Sequence, residues 1–365
     1  MKPERRRDRT IAMVLPPREG FAPDRAGAIA MVVRRLAGAA NATVIGGAHP
    51  GTQPGAPYPG IAFTAVAARS PVFYGIGVLR RLRALSPGIV EIHQQPRLAC
   101  VVAWVLPQAR VSLFLHNDPL TMRGLRYKAQ RARMLRTLHN VVCVSEYLRQ
   151  RYATGLAATD GLVVLPNPLT LAELPPRSVL RPCRILFAGR IVENKGVADF
   201  IAAVAAALPA LPGWSAQIIG GDRFGPNSPE TPFVSVMRQA ACAAGIGFAG
   251  YRPHESVLAA MAEAAIVVVP SRWPEPFGLA ALEALASGAA LIATDSGGLP
   301  EMTGDAARLV PPGDIPALTD AIIALASDDD TRATLARTGL ARAAQFDTPV
   351  IAARLQALRD GKTGL

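Results

Sequence analysis

"PSRWPEPFGLAALEALASGAALIATDSGGLPEM" occupies residues 270–302. It leaves an apolar run, "AIVVVP" (265–270), and crosses a proline-bounded loop. A helical pattern then begins near Phe277, followed by a second apolar run, "ALIATD" (290–295), and a glycine turn, "SGG". Strand, loop, helix, strand is the repeating unit of a parallel sheet. Both runs are apolar at successive positions, as strands covered on both faces must be. The loop also carries chemistry. The first N–H groups of a helix have no acceptor inside it, so those of Phe277, Gly278 and Leu279 form an anion site. Gly278 lets a ligand approach the backbone closely. Glu275, ahead of the helix, can accept bonds from hexose hydroxyls, and Glu283, about two turns on, from a ribose diol. Taken singly, a helical glutamate is more often a solvated face and "SGG" merely a turn. Together they fit a sugar–diphosphate–ribose ligand.

The same alternation extends in both directions. "RILFAG" (184–189), "AQIIGG" (216–221), "IGFAG" (246–250) and "ARLVPP" (307–312) complete the strands of the second half. "TIAMVL" (10–15), "ATVIGG" (42–47), "GIVEIH" (88–93), "RVSLFLH" (110–116), "VVCVS" (141–145) and "GLVVLP" (161–166) are those of the first. Helical patterns cover 24–36, 73–85 and 120–138. After the strand at 184, Val197, Phe200, Ile201, Val204 and Leu208 form one apolar helix face. "LPNPLTLAELPPRSVLRP" (165–182) is proline-rich and interrupts the alternation. The expectation is an α/β protein of two Rossmann-like, doubly wound parallel-sheet domains. They cover 1–168 and 183–345, joined by a linker at 169–182, with a C-terminal helical segment, 346–365, returning toward the first. Ligands of such sheets bind beyond the carboxyl ends of the strands, so two facing domains would enclose a cleft.

Composition agrees with two ordinary domains. The chain has 365 residues, half hydrophobic and only 18% charged, which excludes a disordered chain. A net charge of +12 favours an anionic partner: a nucleotide, a nucleic acid or an acidic membrane surface. Cys100, Cys143, Cys183 and Cys242 form no CxxC pair and lie in apolar stretches, so buried, reduced thiols of a cytoplasmic protein are expected. The apolar run behind the basic "MKPERRRDRT" is too short for a signal peptide, and no run approaches a membrane span.

Two motifs carry a family resemblance. "EPFGLAALE" (275–283) closely resembles the E-x7-E signature of the retaining glycosyltransferases of family GT4. "ILFAGRIVENKGVADFIAA" (185–203) resembles that family's strand–loop–helix, and "GYRPHESV" (250–257) and "VVVPSRWPEPFG" (267–278) follow in the usual order. The resemblance is continuous from about Cys183 to Pro312. It is looser in the first half, through "EIHQQP", "FLHNDP" and "NVVCVSEYLRQRY". It implies the GT-B fold and transfer of a hexosyl unit, with retention, from a UDP- or GDP-sugar to a hydroxyl of a lipopolysaccharide, exopolysaccharide or glycolipid acceptor. Front-face attack, with the donor phosphate helping to take the acceptor proton, is the working mechanism, since no nucleophile is evident.

Carried over position by position, Arg190 and Lys195 stabilise the departing diphosphate, where negative charge develops. Glu275 and the backbone of Phe277 and Gly278 hold the sugar, Leu279 N–H meets phosphate and Glu283 the ribose. Tyr251 lies near the base. His116, ending "RVSLFLH", orients the sugar from the other domain. The family has two adjacent glycines in the first loop; here they are Glu19 and Gly20, which leaves the approach of Gly20 to the donor in doubt. Glu91 and His93 are candidates for the acceptor side. The plainer alternatives are a surface ion pair of Arg190 and Lys195 with Glu193, and a purely structural His116.

No DxD motif stands where a metal would be held, and "SDDD" (327–330) reads as a helix cap. No essential metal is expected, and the nucleotide-sugar is a substrate, not a resident cofactor. "MRGLRYKAQRARMLRTLH" (122–139) is basic with Leu125, Ala129, Ala132, Leu135 and Leu138 on one side. It suits a peripheral contact with an anionic membrane surface or acceptor, or is simply a solvated face. Two other functions stay open: a GT-B sugar-nucleotide epimerase, against which the Arg–Lys and E-x7-E pair argues, and a nucleic-acid-binding protein, for which no recognition motif is present.

Overall fold

The structure, a computed structural model, describes residues 10–23, 26–48, 57–67, 69–177, 181–222 and 230–361. The chain divides into two compact units, Met1–Pro168 with Thr348–Leu365, and Leu169–Asp347.

The first unit contains β1 (Ile11–Val14), α1 (Ala28–Ala40), β2 (Thr43–Ala48), β3 (Phe63–Ala67), α2 (Pro71–Leu85), β4 (Ile89–His93) and α3 (Pro96–Val105). It continues with β5 (Arg110–Leu115), α4 (Lys128–Thr137), β6 (Asn140–Cys143), α5 (Glu146–Ala153) and β7 (Leu162–Val164). The seven strands are parallel in the order β3-β2-β1-β4-β5-β6-β7. Every residue of β1, β4 and β6 is buried, because helices cover both faces. Strand β3 escaped the sequence reading. It lies at the sheet edge, pairs only with β2, and buries only Val66, so its pattern lacks the continuous apolar run of its neighbours. The helix expected from 24 begins, within the described residues, at Ala28.

The second unit contains β8 (Arg184–Ala188), α6 (Val197–Ala207), β9 (Ser215–Ile219), α7 (Pro232–Ala243), β10 (Gly247–Gly250), α8 (His254–Glu263) and β11 (Ile266–Val269). There follow α9 (Leu279–Ala286), β12 (Ala290–Thr294), α10 (Leu299–Thr303), β13 (Ala307–Val310), α11 (Ile315–Ser327) and α12 (Asp329–Ala344). Its six strands are parallel in the order β10-β9-β8-β11-β12-β13. Phe200 of α6 packs on Phe187 of β8, with ring centroids 5.6 Å apart, within a core that includes Ile218, Ile266 and Ile292. Asp328 caps α12, accepting from Thr331 N–H at 2.9 Å. Residues 169–177 and 181–182, within the expected linker, belong to this unit; Leu169 N–H bonds to Phe346 C=O at 2.8 Å. The last helix, α13 (Thr348–Arg359), belongs to the first unit, where it meets α1.

Three expectations need correction. Cys183 and Cys242 are exposed and Cys100 is half-buried; only Cys143 is fully buried. The pattern at 120–138 resolves into a 3-10 turn, Pro119–Thr121, and the shorter helix α4. The buried side of that segment is Leu125, Arg131, Met134 and Leu138, while Ala129 is exposed. Arg131, one of the cations of this basic segment, lies inside, donating to the carbonyls of Tyr152, Leu125, Arg126 and Thr154 at 2.6–3.1 Å. A guanidinium has five donors and no acceptor, so it can staple four carbonyls at once.

Candidate functional site in the second unit

In each sheet the strand order reverses beside the first strand, and ligand crevices of open α/β sheets form at that reversal. In the second unit the flanking strands are β8 and β11. The loop after β8 carries Arg190 and Lys195, and the loop after β11 carries Glu275. Strand order therefore brings together residues 80 positions apart. Lys195 Nζ donates to Glu275 Oε1 at 2.5 Å, and Ser271 Oγ donates to the same oxygen at 2.5 Å. Glu275 is only 7% exposed, and the two donors compensate the loss of water around its carboxyl group. Oε2 takes neither bond and can receive a hydroxyl.

The two loops are pinned to each other. Asn194 C=O accepts the N–H groups of Arg272 and Trp273 at 3.0 and 3.2 Å. The Arg272 guanidinium grips buried Asp199 of α6 with two bonds, one of them from Nε at 2.6 Å. At Gly196, φ is +71° and a Cβ would stand 1.9 Å from Pro270 C=O, so only glycine fits. "SGG" is more than a turn. Gly298 N–H donates to Glu275 C=O at 2.7 Å. Gly297 has φ +64°, and a Cβ there would stand 2.3 Å from the same carbonyl. The glycine turn thus sets the height of Glu275.

Helix α9 starts at Leu279, two residues later than the sequence reading, with Gly278 as its cap at φ +96°. Its first internal bond joins Leu282 N–H to Gly278 C=O, so the N–H groups of Leu279, Ala280 and Ala281 precede the ladder. Phe277 is buried, its ring edge-on to Phe346 at 5.6 Å; its side chain serves the core and only its backbone remains for a ligand. Glu283, one turn inside α9, is buried and bonded to His254 Nε2 at 2.9 Å. Tyr251 follows β10, half-buried, its carbonyl accepting from Arg252 at 3.1 Å. Arg190 is exposed and, among the described residues, makes no hydrogen bond or ion pair; it lines a hollow of about 570 Å³ with Val192, Glu193, Asn194, Arg272 and Trp273. The expected alternative, a pair of Lys195 with Glu193, is not formed. Among the described residues no three His, Cys, Asp or Glu side chains cluster as a metal site.

Ser271, His254, Asp199 and Arg272 were missed. Arg272 and Asp199 stand 73 positions apart, so no local pattern signals their pairing. His254 lay within a quoted motif, but nothing local points it at Glu283.

In the first unit, His116 follows β5. Its Nε2 lies 2.9 Å from Nδ1 of His93, at the end of β4, with the rings near-coplanar. Both are buried. Burial lowers the His116 pKa to about 4; burial, then the charges of His116 and Arg359, lowers that of His93 well below the ordinary value. One ring donates to the other. His93 Nε2 is buried without a partner, and a bare lone pair is tolerated there better than an orphaned N–H. The pair therefore favours a proton on His93 Nδ1, with His116 accepting at Nε2 and protonated at Nδ1. Glu91, considered for the acceptor side, instead forms a fully buried two-bond pair with Arg359 of α13, at 2.7 and 2.9 Å. Gly20 bridges to Ala26. Beside it, Glu19 accepts from Ala30 N–H at 3.1 Å at the start of α1, and burial raises its pKa.

Residues 182–328 match the family described as glycosyl transferases group 1. D-inositol 3-phosphate glycosyltransferase of Corynebacterium glutamicum is 34% identical over 177 residues, 48% of this chain and 42% of that protein. The lipopolysaccharide core biosynthesis mannosyltransferase LpsB of Rhizobium meliloti is 33% identical over 162 residues, 42% of this chain and 44% of that one. Each match thus spans less than half of the relative. Among solved structures, Anabaena HepE in complex with UDP and glucose superposes with a TM-score of 0.76 at 18% identity, over 96% of this chain and 99% of that one. The chain has the GT-B fold, and residues 182–328, within its second unit, carry the likeness to the group 1 glycosyl transferases.

Proposed function

We propose that the protein is a retaining glycosyltransferase that moves a hexosyl unit from a UDP- or GDP-sugar to an acceptor hydroxyl in lipopolysaccharide, exopolysaccharide or glycolipid synthesis. The observation that carries the reading is the convergence of Lys195 and Ser271 on one oxygen of Glu275, ahead of the open N-terminus of α9. In this reading Glu275 Oε2 and the backbone of Phe277 and Gly278 hold sugar hydroxyls, and Leu279 N–H meets phosphate. Glu283, oriented by His254, takes the ribose. Tyr251 flanks the base. Lys195 and the unpaired Arg190 receive the charge that grows on the leaving diphosphate. His116 is assigned to orienting the sugar through Nδ1–H, and Gly20 to the donor loop. With these cations and the helix N-terminus meeting the charge, transfer needs no divalent metal and survives a chelator. The acceptor class is supported by the likeness to LpsB, and a nucleotide donor by HepE, which holds UDP and glucose.

The test combines binding and turnover. One of UDP, GDP or their sugar conjugates, added without metal, raises the melting temperature, since a ligand of the native state alone must stabilise it. Lys195→Ala and Glu275→Ala abolish transfer while the fold persists, and the anomeric configuration of the product, read by NMR, is that of the donor. Normal turnover in either variant overturns the site assignment; an inverted product overturns retention; donor epimerisation without acceptor favours the epimerase.

A further inference from the structure

Helices α2, α3 and α4 lie side by side on one face of the first unit. Each connects a strand to one further along the same direction of the sheet, and right-handed crossovers then put all three on the same side. Gly75 of α2 meets Leu98 of α3, and Cys100 of α3 meets Met134 of α4. The outward stripes of this layer are unusual. On α2 the stripe reads Val72, Ile76, Arg80, Arg83, and on α3 it reads Arg97, Val101, Trp104, each at helical spacing. Trp104 is 83% exposed, Val72 70% and Phe73 65%. Of the eight large hydrophobic residues that stand exposed among the described residues, five are on α2 and α3, and a sixth, Tyr127, caps α4.

The charge is equally one-sided. The three helices contain no Asp or Glu. Arg80, Arg81, Arg83, Arg97, Arg133 and Arg136 are exposed, and among the described residues their side chains make no hydrogen bond or ion pair. Several arginines elsewhere are paired, Arg149 with Glu146, Arg151 with Asp118, Arg238 with Glu230 and Arg272 with Asp199, whereas on this face six together are not. A monomer rarely exposes apolar side chains in a group without an interaction to use them. Aliphatic and indole side chains interleaved with unpaired guanidiniums match one environment best, the interface of an anionic bilayer. There apolar groups enter the acyl boundary, Trp sits at headgroup level and arginines meet lipid phosphates.

We propose that the α2–α3–α4 face of the first unit docks on an anionic lipid surface, with Phe73 and Trp104 as the inserting side chains and Arg80, Arg81 and Arg83 as the electrostatic anchor. The proposal rests on the first unit alone and stands or falls independently of the sugar-transfer reading. It also moves the contact suspected from the sequence at 122–139 onto a wider face, of which α4 is one border.

The experiment is flotation of the full chain with vesicles of phosphatidylcholine alone or mixed with phosphatidylglycerol. The expected result is partitioning onto the mixed vesicles only. Phe73→Ser/Trp104→Ser abolishes it, and Arg80→Gln/Arg81→Gln/Arg83→Gln lowers it on the order of 100-fold, each arginine near an anionic surface being worth about fivefold. Both variants keep the wild-type melting temperature, which shows them folded. Fluorescence of a Trp214→Phe/Trp273→Phe variant, which retains Trp104, shifts to the blue on the mixed vesicles. Absence of partitioning overturns the proposal, as does partitioning that both surface variants retain. So does self-association, or binding to random-sequence DNA, that those substitutions abolish while vesicles are ignored; the face would then belong to a second copy or to nucleic acid.

Discussion

At the residue scale the candidate site depends on a few contacts that tolerate no added atom. Gly297→Ala would drive a methyl group into Glu275 C=O, which cannot retreat because Gly298 N–H holds it. The carboxylate must shift instead, and a displacement of about 1 Å costs roughly 100-fold in rate. We expect kcat/KM to fall by about that factor with only a small change in melting temperature; unchanged kinetics would show that Glu275 is not held from this side. The His93–His116 pair has a pH signature. Both pKa values are lowered in the folded chain, so the unfolded chain binds more protons below the ordinary value of 6.5. Stability is therefore full above about pH 6.5 and is lost as pH falls toward 4, by up to about 1.4 kcal/mol per pH unit for each histidine. Urea unfolding across that range should give a steeper loss in the wild type than in His93→Asn/His116→Asn. Equal slopes would refute the buried neutral pair.

At the element scale α4 separates cations that look alike in sequence. Arg131 faces inward and serves four carbonyls, whereas Arg133, two residues on, faces water. Arg131→Met keeps the length of the side chain and strands those acceptors, at a cost of about 2–4 kcal/mol. Arg133→Gln should fall within about 0.5 kcal/mol of the wild type. Chemical denaturation distinguishes them, and equal effects would mean that α4 is turned otherwise. The same helix explains why an amphipathic reading of 122–139 found Leu125 and Leu138 but missed Arg131 and Met134. Its interior position is filled by an arginine, and hydrophobic periodicity cannot register a buried guanidinium.

At the scale of the whole molecule, the chain leaves the first unit at Pro168 and re-enters it at Thr348. Arg359 closes that return by pairing with Glu91, 268 positions earlier, and Arg110 donates to the Arg359 carbonyl at 2.8 Å. Both partners of the ion pair are almost wholly buried. Breaking such a pair leaves an uncompensated charge and costs about 3–5 kcal/mol, whereas replacing both partners by apolar groups can be nearly neutral. Arg359→Met should therefore destabilise the first unit strongly, and Glu91→Leu/Arg359→Met should recover most of the loss. A double variant no better than the single one would show that the pair is not the closure. Because two units unfold, the melting of each is to be followed separately and not fitted as one transition.

Strand and helix alternation, the prolines between the halves and the spacing of Glu275 from Glu283 were legible in the chain because each is a short-range pattern. A buried parallel strand needs a continuous apolar run and a helix an apolar stripe, and both are written in consecutive residues. The edge strand β3 was lost because an edge buries little, and Arg131 because burial of a cation leaves no periodic trace. Which oxygen of Glu275 meets Lys195, which carbonyl Gly297 clears, which helix cations remain unpaired and which residue Arg359 reaches were decided only by the tertiary structure. Those contacts join residues far apart in sequence, and strand order and register, not local propensity, determine which distant side chains meet.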